Sequence, residues 1–102
     1  MELIVRRRAV FEIQEAHAHY EVEHEGLGAE FFRCVEAACA QIQRNPLARP
    51  LYYRNARRVY LRRFPFSVFY FAGDDVVAVV AVFHSRRDPR ELFVRLEEEG
   101  AS

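Results

Sequence analysis

The chain contains no lysine and no tryptophan, and only one methionine, two cysteines, four glycines and four prolines in 102 residues. With so little glycine and proline and 51% hydrophobic residues, a disordered or low-complexity chain is excluded in favour of a globular one. No apolar run approaches the roughly 20 residues needed to span a bilayer. The opening Met1-Glu2-Leu3-Ile4-Val5, followed by three arginines, reverses the charge order of a signal peptide. A cytoplasmic protein without membrane attachment is therefore expected, folded as one domain over residues 1–102.

Sparse cysteine also limits the chemistry. Cys34 and Cys39 stand five apart in a predicted helix, roughly 140° apart around its axis, so they form no CxxC site and are expected as reduced, half-buried thiols. His17, His19 and His24 cluster on another predicted helix, and the spacing of His17 and His24 permits a shared face. No third ligand accompanies them, so surface histidines are expected, with no metal and no cofactor.

Net charge is absent too, but the neutral total hides an uneven distribution. Residues 1–48 hold five arginines against eight acids, and residues 49–95 hold ten arginines against four. All 15 basic side chains are arginine. Codon usage in a GC-rich genome produces that bias. The planar, bidentate fork of arginine also suits an anionic partner, so both origins fit.

Apolar patterning supplies the elements. Leu3 to Arg7 reads as a strand, and Ala9, Ile13, Ala16 and Tyr20 recur at helical spacing over Ala9 to His24. Gly26 and Gly28 stop that helix. A second helix, Ala29 to Arg44, aligns Leu27, Phe31, Val35, Ala38 and Ile42 on one stripe and ends at Asn45-Pro46. Pro46 to Ala56 reads as a loop carrying Arg49 and Arg54. Strands are predicted over Arg57 to Phe64, Phe66 to Phe71 and Val76 to Phe83, the last two joined at Gly73-Asp74-Asp75 and Pro65 separating the first two. The near-continuous apolar runs of the later strands imply cover on both faces.

Alternation over Arg57 to Arg63 turns Val59 and Leu61 inward and Arg58, Tyr60 and Arg62 outward. Two outward arginines beside an aromatic suit phosphate gripping or base stacking, and equally a solvated edge that arginine keeps from aggregating. At the end of the last strand stand His84 and Ser85-Arg86-Arg87-Asp88-Pro89. His84 suits acid or base work near neutral pH, with Arg86 or Arg87 stabilising a developing phosphorane. The same residues fit a turn shaped by an ion pair from Asp88 to one of those arginines.

The string RRFPFSVFY (Arg62 to Tyr70), its Asp-rich turn, the apolar strand and then HSRRDP (His84 to Pro89) together resemble the RelE/ParE superfamily of bacterial type II toxins, closer to the ParE-like branch. Upstream, Ala9-Val10-Phe11-Glu12-Ile13, Tyr20, Gly26-Leu27-Gly28, Phe31-Phe32 and Asn45-Pro46 agree in order and spacing, so the resemblance spans residues 2–95. It implies an α+β fold of order β-α-α-β-β-β, an antiparallel helix hairpin on a small, mainly antiparallel sheet. It also implies a cognate antitoxin in a hetero-oligomeric complex and, for the ParE-like branch, DNA gyrase as target.

For the RelE-like branch the resemblance implies ribosome-dependent cleavage of mRNA by basic residues on two strands, a basic residue after the last strand and a C-terminal tyrosine. Arg58 and Arg62, and Arg86 or Arg87, match part of that set, with His84 beside them. Ser67 stands where the nuclease carries arginine, and Phe93, the nearest aromatic to the tyrosine position, lacks a hydroxyl. The expected function is therefore a ParE-like gyrase inhibitor, with the endoribonuclease as alternative. The surface expected to meet target or antitoxin comprises Arg58, Tyr60, Arg62, Arg86, Arg87 and Arg90.

Overall fold

The computed structural model describes residues 1–101. In chain order it runs β1 (Glu2–Val5), α1 (Arg7–Glu23), α2 (Leu27–Arg44), β2 (Leu51–Tyr53), β3 (Ala56–Tyr60), β4 (Phe66–Ala72), β5 (Val76–His84) and α3 (Pro89–Gly100). The five strands form one sheet in the order β1-β5-β4-β3-β2, with β1 parallel to β5 and the other pairs antiparallel. The helix hairpin and mainly antiparallel sheet agree with expectation. No helix among the described residues is long and apolar enough to cross a membrane.

Four differences from the sequence reading bear on the site. First, Leu51–Tyr53, read as loop, is an edge strand. Second, the strand expected over Arg57 to Phe64 stops at Tyr60, because the chain turns back with Arg63 in the left-handed region (φ 73°) and Leu61 N–H donating to Phe66 O at 2.9 Å. Third, the first strand ends at Val5 and α1 already begins at Arg7. Fourth, an unforeseen helix, α3, follows His84.

The two sheet faces carry different cover. Against α1 and α2 pack Val59, Leu61, Val68, Tyr70, Val77, Val79 and Val82, joined by Phe31, Val35, Ala38 and Ile42 from the α2 stripe. Each fully buried side chain of this size contributes about 1.5–3 kcal/mol. The Tyr70 hydroxyl donates to Pro46 O at 2.8 Å, which satisfies the one polar atom of this buried ring and ties down the chain leaving α2. The opposite face gives Ala56, Phe69, Ala78, Val80, Ala81 and Phe83, covered by Leu92 and Leu96 of α3. This explains the unbroken apolar character of β4 and β5.

The hairpin is tight where α2 begins. A Cβ on Gly28 would lie 2.7 Å from the His17 ring and 2.9 Å from the Glu21 carboxylate, so a larger residue there must displace both side chains. Glu21 accepts from the N–H groups of Gly26 and Gly28, both at 3.0 Å, capping the start of α2 from its neighbour and holding its own carboxyl below the usual range. Cys34 and Cys39 are free and half-buried, with burial pushing the Cys39 thiol up. His17 stacks on Phe32 and His19 pairs with Glu23. Among the described residues no cluster of His, Cys, Asp or Glu has the makings of a metal site.

Candidate functional site

The α3 helix leaves one end of its sheet face uncovered. There β3, β4 and the end of β5 surround a cleft of about 230 Å³, lined by Tyr52, Arg58, Tyr60, Ser67, His84 and Arg87 among others. Strand pairing builds it: Tyr60 lies opposite Ser67, Ser67 opposite Phe83 and Phe66 opposite His84. Side chains two apart share a face, so Arg58 and Tyr60 project together. Tyr52 reaches the same cleft from β2.

The Arg58 guanidinium lies over two rings, those of Tyr52 and Tyr60, each centroid 4.3 Å away. Such contacts fix a flexible cation without cancelling its charge. Among the described residues Arg58 forms no ion pair. At the far side, His84 Nδ1 accepts from the Arg86 N–H at 3.0 Å, leaving Nε2 as the donor of a neutral ring. His84 also meets Phe66 edge-on, with centroids 5.0 Å apart.

Of the residues singled out in the sequence, Arg58, Tyr60, His84 and Arg87 come together here, and Arg62, Arg86 and Arg90 do not. Arg62 follows the end of β3 in an exposed turn, because the strand is shorter than its alternation suggested. Arg86 is exposed in the turn after β5, engaged there through its backbone. Arg90 is held by Asp88 Oδ2 at 2.8 Å. The expected pairing of Asp88 with Arg86 or Arg87 is thereby replaced: Asp88 is the N-cap of α3 and accepts from both the backbone and the side chain of Arg90, which hold its carboxyl below the usual range.

Arg87 reaches away from the turn and lies 3.7 Å above the Phe83 ring while pairing with Glu12 at 3.3 Å and Glu91 at 3.0 Å. It belongs to a network invisible in the sequence. At its centre the Arg95 guanidinium forks onto the Glu12 carboxylate at 2.7 and 2.9 Å. Glu12 also accepts from Val82 N–H at 3.0 Å, and Arg95 donates to Val80 O at 3.1 Å. The backbone explains why: β1 ends its pairing at Val79, and Val80 has no partner on β4, so this stretch of β5 needs side chains to satisfy its polar groups. Arg95 Nε is buried without a hydrogen bond, its nearest carboxylate being Glu99 at 3.6 Å.

The other side of α3 is also fixed. Phe93 stacks on Tyr53 at 4.5 Å, and Glu97 accepts from the Tyr53 hydroxyl at 2.7 Å and pairs with Arg54 at 2.9 Å. Those partners, the phenol first, hold the Glu97 carboxyl below the usual range. Phe93 therefore faces the β2 edge and does not line the cleft.

The model of the ParE toxin of type II toxin-antitoxin systems, parDE, matches residues 3–89 of the chain. The chain belongs to this ParE toxin family. The matched part of this toxin ends at the first residue of α3. Among solved structures, a chain of the chromosomal ParDE TA system from P. aeruginosa is similar, with a TM-score of 0.62 and 19% identity over 82% of this chain and 95% of that one. That likeness is one of fold. No curated protein matches in sequence.

Proposed function

We propose that this ParE-family toxin arrests growth by binding DNA gyrase, that the sheet-face cleft and its rim form the acting surface, and that a cognate antitoxin neutralises it in a hetero-oligomeric complex. The composition of the cleft carries this reading. Of its two arginines, Arg87 is paired with Glu12 and Glu91 and only Arg58 is without a carboxylate partner among the described residues, while Ser67 occupies the place where the resemblance to RelE-like nucleases calls for a further arginine. Phe93, nearest to the nuclease tyrosine, stacks against Tyr53 instead. RNA cleavage needs a base within reach of a 2′-hydroxyl and an acid on the leaving oxygen. Among the described residues no carboxylate lines the cleft, and His84 Nδ1 is occupied by Arg86 N–H. The choice of gyrase rests on the resemblance to the ParE-like branch.

A second reading, ribosome-dependent cleavage of mRNA, draws on the Tyr52 and Tyr60 hydroxyls, Arg58 and His84 around one cleft. Purified protein added to a gyrase supercoiling reaction and, separately, to a reconstituted translation reaction tells the two apart. Inhibited supercoiling with intact mRNA is expected. Codon-specific mRNA cleavage with supercoiling unaffected overturns the proposal.

A further inference from the structure

The cleft has an apolar floor of Phe69, Phe83 and Leu92 and a set of donor-bearing side chains around one arginine, Arg58, that has no carboxylate partner among the described residues. In the basic stretch 49–95, Arg54, Arg63, Arg87, Arg90 and Arg95 each have a carboxylate partner. Among the described residues Arg58 has none, although it is half-buried and fixed over the rings of Tyr52 and Tyr60. Tyr52, Tyr60, Ser67, Ser85 and His84, each bearing a donor, line the same space, as does Arg87, which is paired with Glu12 and Glu91; among the described residues no Asp or Glu lines it. A cation already immobilised loses little further freedom on meeting an anion, which favours binding.

The arrangement selects among anions. These residues come from four strands and a turn, so their donors do not share one plane. A planar carboxylate presents about four lone-pair sites in one plane. A phosphate offers three or more oxygens in a tetrahedron, which matches non-coplanar donors better. Beside this centre the Tyr60 ring is 65% exposed, an open aromatic surface of the kind on which a base stacks for about 1–3 kcal/mol.

We propose that the cleft is a binding site for a phosphate group carried by a nucleoside, with Arg58 as the charge that holds it and Tyr60 as the stacking platform. Binding involves no bond cleavage. It goes beyond gyrase inhibition and is read without gyrase present, so failure of one leaves the other standing.

The test is calorimetric titration of the full chain at fixed low salt with adenosine 5′-monophosphate, adenosine, inorganic phosphate, a Glu-rich peptide and an oligonucleotide with and without a 5′-phosphate. The monophosphate or the 5′-phosphorylated oligonucleotide is expected to bind more tightly than inorganic phosphate, with adenosine weakest. If the mononucleotide equals the oligonucleotide, the ligand is a free nucleotide; if only the phosphorylated oligonucleotide binds, it is a strand end. Arg58→Gln should weaken binding at least about tenfold, equivalent to about 1.4 kcal/mol. Arg62→Gln, which removes the same charge outside the cleft, should leave binding unchanged. Thermal midpoints confirm that both variants fold, and Tyr60→Ala gives a second route if Arg58→Gln does not. Absence of phosphate-dependent binding, equal losses in Arg58→Gln and Arg62→Gln, or tighter binding of the Glu-rich peptide would each overturn the proposal.

Discussion

The Glu12–Arg95 pair shows how far a single residue's role depends on the backbone beside it. Both side chains are about nine-tenths buried, at 10% and 6% exposure, and both also satisfy β5 backbone groups that have no strand partner. Glu12→Ala leaves Arg95 buried with only the longer Glu99 contact at 3.6 Å, so unfolding in urea should show a loss approaching about 3–5 kcal/mol. Replacing both, as Glu12→Leu with Arg95→Met, should recover only part of this. The exposed costs of Val80 C=O and Val82 N–H, about 1–3 kcal/mol each, remain. Full recovery would show that the backbone contacts contribute nothing. In the sequence Glu12 reads only as a helix residue and Arg95 as one arginine among many, since their 83-residue separation leaves no local pattern. Arg87 illustrates the same gap. Expected on the surface that meets target or antitoxin, it also pairs with two acids above Phe83, so Arg87→Ala should lower stability by about 1 kcal/mol. An unchanged denaturation midpoint would contradict its structural role.

Among the elements, α3 has the most to explain and was the least legible. Its signals were present: Asp88 before Pro89 is a cap followed by a proline at the first helical turn, and Leu92 and Leu96 are one turn apart. They are hard to see because the basic tail precedes them and Glu97-Glu98-Glu99 cuts the apolar spacing short after Leu96. Strand β2 escaped because three residues are too few for alternation to register. By contrast, the stripe of α2 and the apolar runs of β4 and β5 span enough residues to declare their type. Leu92→Ala should cost about 2–5 kcal/mol, because Leu92 is buried against the sheet. The link of α3 to the β2 edge should be pH-dependent. The folded Glu97 carboxyl lies below its ordinary value, so its stabilisation is present above about pH 4–5 and is lost as pH falls through the lower folded value. Asp88 and Glu21 act in the same direction. The thermal midpoint should therefore drop on acidification below about pH 4, and less steeply in Glu97→Gln. Identical acid profiles for the two proteins would remove Glu97 from this account.

For the whole molecule, the basic half visible in the sequence is narrower in three dimensions. Five of the ten arginines over 49–95 are paired with carboxylates among the described residues, leaving Arg49, Arg57, Arg58, Arg62 and Arg86 to supply the surplus. An acidic antitoxin segment drawn by that surplus should associate faster at low salt. Raising salt from about 0.05 to about 0.5 M shortens the Debye length from roughly 14 to roughly 4 Å and should slow association markedly, with a smaller change in dissociation. A salt-independent association rate would mean that apolar docking dominates.

The fold and the family were legible because motif order survives along 87 matched residues. The acting surface was only half legible. Alternation placed Arg58 and Tyr60 on one face, but where β3 ends and where Tyr52 arrives depend on pairing between strands. The most direct test of that surface is growth after induced expression of the wild type, Arg58→Ala and Arg62→Ala at matched protein levels. The account predicts arrest by the wild type and by Arg62→Ala, and continued growth with Arg58→Ala at a thermal midpoint that shows the variant folded. Arrest by Arg58→Ala as complete as that by the wild type would contradict the claim that this cleft is where the toxin acts.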